Sequence, residues 1–228
     1  MLGIVIKEYT SLIKGIKSML LAAFITLISI WAARFITSNA LFQSEVGSAE
    51  STALAGLSFI LVAFGALFVY ILSHDIINRD IELQRIRLLV TKTSRRNIVL
   101  GKFLAVWLFW LSITTITFVI VSIMTKTFLI QELLLLWVFL AFHTSVVVLV
   151  STLIVNHAYT VMTSLILGIA MPIAGVWSMF NTTAVAQVVR YGLPYYFMSD
   201  NHGWLMIAVL EALLMLVVAV KVLERKEL

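Results

Sequence analysis

LLLLWVFLAFHTSVVVLVSTLIV, residues 133–155, is the stretch whose reading decides the fold. It carries no aspartate, glutamate, lysine or arginine. A hydrocarbon layer about 30 Å thick needs roughly 20 apolar residues of helix to cross it. Valine and phenylalanine favour strands in water, but in lipid the backbone has to satisfy its own hydrogen bonds, so an unbroken run of this length reads as a helix. The two-residue alternation of a membrane barrel is absent. Five further windows meet or approach the same requirement, at about 19–36, 54–73, 103–124, 159–180 and 204–222. The expected fold is an all-α membrane protein of six transmembrane helices, forming one domain over residues 1–228.

Composition points the same way. The chain of 228 residues is 62% hydrophobic and 12% charged, with mean hydropathy +1.08. Soluble domains average about 45–50% apolar and about 25% charged residues. A chain this size cannot bury the excess in its own core, which excludes a soluble enzyme. Ten glycines and two prolines argue against a linker-rich chain, and no internal repeat is evident. The absence of cysteine excludes a disulfide scaffold, thiol chemistry and cysteine-held metal.

The basic residues give the expected orientation. Lys7, Lys14 and Lys17 precede the first span. Arg79, Arg85, Arg87, Lys92, Arg95, Arg96 and Lys102 lie in the segment 74–102 between spans 2 and 3, and Lys221, Arg225 and Lys226 close the chain. Six crossings put all three groups on one side, leaving Arg34, Lys126 and Arg190 on the other. The basic side is therefore expected in the cytoplasm, with both termini. The net charge of +5 then reflects topology, and no nucleic-acid partner is expected. Trp31, Trp137, Trp177 and Trp204 read as an outer aromatic belt, and Trp107, Trp110 and Tyr159 as an inner one. The run ending Ala32-Ala33 is longer than the apolar region of a signal peptide, so an uncleaved first span is expected.

Residues 4–20 are amphipathic: Val5, Tyr9, Leu12, Ile13, Ile16 and Leu20 share a helical face, with Lys7, Ser11, Lys14 and Ser18 opposite. An interfacial helix over 4–18, its lysines toward anionic lipid headgroups, accounts for this pattern. A simple extension of span 1 is the alternative. In the loop 74–102, apolar positions 83, 86, 89 and 90 predict one amphipathic helix over 78–90, broken by Thr91-Lys92-Thr93-Ser94. Ser94 is placed to cap a helix that starts near Arg95 and continues into span 3. A solvated loop obeying the positive-inside rule is the plain alternative here.

The runs Arg79-Asp80-Ile81-Glu82, Leu88-Leu89-Val90-Thr91-Lys92-Thr93-Ser94-Arg95 and Val99-Leu100-Gly101-Lys102-Phe103-Leu104-Ala105 resemble the loop between spans 2 and 3 of ABC-2-type permeases, the membrane subunits of ATP-binding-cassette (ABC) exporters. The wider layout is similar along nearly the whole chain. Three positions depart from the family: Gln84 stands where it often has glycine, Arg87 where it often has glutamate, and Lys92 where it often has proline. The resemblance implies that this loop is a coupling helix docking into a cleft of a separate ATPase subunit through its apolar face. Arg79, Asp80, Glu82, Arg85, Arg87, Ser94, Arg95 and Arg96 would then form the contact. It also implies a second permease copy. No cofactor is expected in this chain: Gly101-Lys102 lacks the rest of a phosphate-binding loop, so ATP and Mg would sit on the partner ATPase.

Within the spans, Glu211 is the charged residue that needs explaining, since a charge at membrane depth costs about 2.5–3.5 kcal/mol. It reads either as a pathway or proton-linked residue or as a carboxyl hydrogen-bonded to a neighbouring helix. His143 reads as structural, and Asn156 and His157 as turn and cap residues. Gly168, Pro172 and Gly175 make a possible hinge in span 5. Residues 181–203, with Leu193-Pro194-Tyr195-Tyr196-Phe197, predict short interfacial or re-entrant helices. No catalytic residue is identified, and four scattered histidines give no metal-ligand spacing, so no metal is expected. A membrane enzyme would have to use His74, Asp75, Asp80 and Glu82, which form no recognisable metal-binding pattern. A non-transporting partner, such as an immunity or sensor protein, is the other alternative.

Overall fold

The structure, a computed structural model, describes residues 1–38, 49–126, 128–199 and 205–226. Among these it is helical throughout, with no strand. The helices are α1 (Leu2–Lys14), α2 (Ile16–Ser38), α3 (Ala49–Ser73), α4 (Asn78–Glu82), α5 (Arg85–Lys92), α6 (Arg95–Thr125), α7 (Ile130–Leu153), α8 (His157–Phe180), α9 (Ala184–Gly192), α10 (Tyr195–Ser199) and α11 (Leu205–Arg225). Six of them, α2, α3, α6, α7, α8 and α11, are long and apolar enough to cross a membrane. The six expected windows fall on them, with ends that differ by about five residues or fewer except at α6, which begins at Arg95, eight residues before the expected span.

Helix α7, which takes up residues 133–153 of the deciding stretch and ends before the extended Ile154, is the centre of the bundle. About 72% of the apolar window of α7 is buried, against 22% for α2, α8 and α11, whose remaining apolar surface faces outward. The main core lies along α7: Phe139, Phe142 and Val147 meet Leu61 and Tyr70 of α3, Phe109 and Trp110 of α6, and Tyr195 of α10. A second core sits at the basic end of the bundle, where Ile77, Ile86, Ile98, Val99 and Phe103 meet Val148 of α7 and Leu216, Ala219 and Leu223 of α11. This second core holds the loop between α3 and α6.

Basic side chains close three helix C-termini, where the last carbonyls have no partner within the helix. The Arg95 guanidinium donates from Nη1 to the carbonyls of Leu223, Glu224 and Lys226 at 3.0, 2.6 and 2.9 Å, closing α11. The Lys226 ammonium donates to the carbonyls of Thr152 and Leu153, closing α7, and burial lowers its pKa. Arg190 closes α8 through the carbonyls of Ser178, Met179 and Asn181, with its guanidinium 5.4 Å from the Tyr196 ring centre. At helix starts, Asn156 Oδ1 accepts from the Ala158 and Tyr159 amides, and Ser94 Oγ from the Asn97 amide, as expected.

Several expectations need correction. The N-terminal helix stops at Gly15, which is extended, so Lys17 and Ser18 belong to α2. Its face of Val5, Tyr9 and Leu12 packs into the protein: Tyr9 Oη lies 2.8 Å from Ser112 Oγ of α6, and a side chain at Gly101 would meet Ile4 at 3.2 Å. The exposed apolar row on α1 is Leu2, Ile6 and Ile13. The inner and outer tryptophan belts also fail in part. Trp107 Nε1 donates to the Trp137 carbonyl at 3.1 Å, so residues assigned to opposite ends meet within the bundle, and Trp110 is fully buried. Trp31, Tyr159 and Trp177 do face outward, while Trp204 lies outside the described residues. The segment after α8 forms α9 and α10, in keeping with the short helices expected there; residues 200–203 lie outside the described residues.

The single helix expected over 78–90 is two helices. They join at Leu83-Gln84, and Gln84 has φ 55° and ψ 11°, the left-handed region. Thr91 and Lys92 continue α5, and the chain extends only at Thr93. For a residue with a Cβ the left-handed region costs about 1–2 kcal/mol, and glycine enters it freely. Gln84→Gly is expected to stabilise the chain by about 0.5–1 kcal/mol, after the added freedom of the unfolded chain is subtracted. SDS titration in mixed micelles measures this, and an unchanged or earlier midpoint would contradict it.

Candidate functional site

The loop between α3 and α6 forms a rigid elbow, and four side chains explain its rigidity. Asn78 is fully buried at the start of α4. Its Nδ2 donates to Thr160 Oγ1 of α8 at 2.6 Å, and its backbone amide donates to Ser151 Oγ of α7 at 3.1 Å. Lys102, only 2% exposed, projects from α6 beneath the elbow. Its ammonium lies 2.5 Å from Asp80 Oδ2 and 3.3 Å from Glu8 Oε1, and it donates to the Ile76 carbonyl at 2.5 Å. One buried cation thus joins α1, the segment leading into α4, α4 itself and α6. Ile86 of α5 is buried in the second core, a burial that contributes about 2 kcal/mol. Arg95 fastens the start of α6 to the end of α11.

These anchors change the roles expected for the loop. The apolar face of α5, with Ile86 buried and Leu89 and Val90 partly so, is turned into the bundle and does not face outward. Asp80 is engaged by Lys102, Arg95 by the carbonyls of α11, and Ser94 by the first turn of α6. The charged residues of the outward surface are Arg79, Glu82, Arg85, Arg87, Lys92 and Arg96, and two leucines are exposed beside them. Leu83 is 50% and Leu88 70% exposed. Among the described residues Arg85 and Arg87 form no ion pair. An apolar point ringed by unpaired guanidinium groups is a surface that a groove with an apolar floor and acidic rim would match.

No protein-family model matches the chain, and no curated protein matches it. The geometry therefore carries the functional argument. Beside the elbow, between α1, α2 and α3, is a cavity of about 720 Å³ bordered by Lys7, Lys14, Lys17, Arg85 and Lys102, with Glu8 and Asp80 among its acidic members.

The residues singled out within the long helices fall elsewhere, and the structure does not gather them into one site. His143 is fully buried among Phe139, Phe142, Tyr70 and Tyr195, with Nδ1 3.5 Å from the Tyr70 hydroxyl, in keeping with a structural role. Glu211 Oε2 is buried without a hydrogen-bond partner, so the carboxyl hydrogen-bonded to a neighbouring helix is not found for that oxygen. Gly168 and Gly175 are points of close approach. A Cβ at Gly168 would lie 2.9 Å from Leu67 Cα of α3, and one at Gly175 would lie 2.5 Å from the Tyr195 ring. Helix α8 runs unbroken past Pro172.

Sequence reasoning missed Lys102, Asn78 and Leu88. A lysine with its neighbouring glycine read as a failed phosphate loop, although a single cation at the start of a span, in reach of the acids before it, was a usable signal.

Proposed function

We propose that this chain is the transmembrane permease subunit of an ATP-driven ABC exporter, and that the α4–α5 elbow is its coupling element. The observation that carries the proposal is the outward surface of Arg85, Arg87 and Leu88 on a short helical elbow fastened to α6, α7, α8 and α11. A partner moving this elbow moves those long helices with it, because Asn78, Lys102, Ile86 and Arg95 leave no slack between them. Two permease copies and two ATPase subunits make the working assembly, with ATP and Mg on the ATPases. The elbow and both termini lie on the cytoplasmic side by the positive-inside rule. Cargo is amphipathic or hydrophobic, such as a peptide, a lipid-like molecule or a drug, in keeping with the scarcity of charge along the long helices. Membrane lipid contacts the basic border beside α1.

The test is co-purification in detergent with any ABC ATPase found encoded beside this chain's gene. Wild type is expected to hold the ATPase, and Arg85→Glu/Arg87→Glu and Leu88→Asp are expected to release it while remaining folded, since all three residues are exposed. A well-folded wild type that binds no ATPase would overturn the exporter reading. Variants that keep the complex would move the contact away from α5.

A further inference from the structure

His74, at the end of α3, Asp75 beside it and His157, the first residue of α8, converge at the basic end of the bundle. One ligand atom from each lies within 4.8 Å of the other two, and the imidazole ring centres are 5.1 Å apart. His74 Nδ1 sits 2.9 Å from the Ile71 carbonyl oxygen. A carbonyl only accepts, so Nδ1 carries the proton and the lone pair is left on Nε2. Backbone orientation of this kind is the usual support of a metal-binding imidazole. His157 is exposed and pairs with no other polar group among the described residues, while the backbone beside it is fixed by the Asn156 cap. The three residues border a cavity of about 560 Å³ that Glu82 also lines.

We propose that His74, Asp75 and His157 form a binding site for a divalent cation of the zinc class, with water or Glu82 in the fourth position. Two imidazoles and one carboxylate are a borderline-soft donor set that suits Zn²⁺ over Mg²⁺ or Ca²⁺, which prefer all-oxygen sites. Tetrahedral bonds of about 2.0–2.2 Å set ligand atoms about 3.4 Å apart. Binding therefore requires a closure of up to about 1.4 Å from the 4.8 Å spread, which rotation of the exposed His157 ring and the Asp75 carboxylate supplies. Two cations border the site, Lys17 and Arg79. The Arg79 contact to Asp75 is 3.8 Å, too long for a hydrogen bond, and the Arg79 side chain is 65% exposed, so it is free to swing away when a metal takes the carboxylate. The cation would clamp the end of α3 to the start of α8. This site stands independently of the exporter reading.

The full chain, purified in detergent without a polyhistidine tag and stripped with chelator, is titrated with Zn²⁺ by calorimetry and with Co²⁺ by visible absorption. One saturable equivalent is expected, together with the cobalt band of low-coordinate nitrogen and oxygen ligation and a higher unfolding midpoint in Zn²⁺. His74→Gln, His157→Gln and Asp75→Asn should each weaken binding at least about tenfold and abolish the shift, while their metal-free midpoints match wild type. No saturable binding, or binding that survives all three substitutions, overturns the site and leaves the two imidazoles as an ordinary ring contact. If His74→Gln or Asp75→Asn lowers the metal-free midpoint, the exposed His157→Gln decides alone.

Discussion

Lys102→Met is expected to destabilise the chain by about 3–5 kcal/mol, more than any other side-chain truncation at the basic end. Methionine keeps the length and the apolar stem, so the loss isolates the ammonium. Without it the Asp80 carboxylate, 16% exposed, the Glu8 carboxylate and the Ile76 carbonyl all lose their cation at once. Removing one member of a buried pair costs far more than the net value of the pair, because the other charge stays behind desolvated. Lys102→Met/Asp80→Leu should therefore recover part of the loss, since the stranded carboxylate goes with its partner. SDS titration in mixed micelles reads both variants. If Lys102→Met falls within about 1 kcal/mol of wild type, or the double variant is worse by the sum of the singles, Lys102 is not a clamp.

The same substitution bears on the proposed coupling. With the Lys102 clamp gone, the elbow is still held through Asn78 of α4 and Ile86 of α5, but α1 loses its ionic tie to the loop. An ATPase that engages Arg85 and Leu88 should then bind nearly as before and drive less transport. On the proposed coupling, binding would reside in the outward residues and transmission in the inward ones.

The six long helices were legible because twenty apolar residues in a row have one solution in lipid. Their ends were legible where a cap is local, as at Ser94 and Asn156. The loop was harder, because residues distant in sequence decide it. Gln84 breaks the helix although its own type does not demand a break; the pull of Asn78 toward Ser151 and Thr160, and of Ile86 into the core below α11, forces the bend between them. The apolar stripe 83, 86, 89 and 90 looks in the sequence like one docking face. A stripe records only that something covers it, and here most of the cover is the protein's own bundle, with Leu83 left outside. Basic residues misled in a related way. Counting them gives a side of the membrane, but Arg95, Lys226 and Arg190 are also spent on helix ends, so neither free cations nor partner contacts can be counted from composition. His74 and His157 were unreadable as a pair, since only the approach of α3 to α8 joins them.

Gly175→Ala tests whether α8 is a hinge or a packing seam, and a cost of about 1–3 kcal/mol is expected. The added methyl would lie 2.5–2.9 Å from three atoms of Tyr195. That ring has nowhere to go: it is 1% exposed and stands edge-on to Phe139 at 5.2 Å and beside His143 at 5.7 Å. Gly168→Ala presses instead on Leu67 Cα, part of the backbone of α3, and should cost a similar amount. Between the two, Pro172 removes the amide that would bond the Gly168 carbonyl, which bends a helix without requiring motion. The decisive variant is Gly175→Ala/Tyr195→Leu. Trading the rigid ring for a shorter side chain gives the methyl room, so the double variant should be more stable than the sum of the singles predicts, with a coupling of about 0.5–3 kcal/mol. A pure hinge gives the opposite pattern, in which Gly175→Ala leaves the unfolding midpoint unchanged and lowers transport alone. Close approach at both glycines holds α8 against α3 on one side and α10 on another, so any rearrangement of α8 has to carry Tyr195 with it.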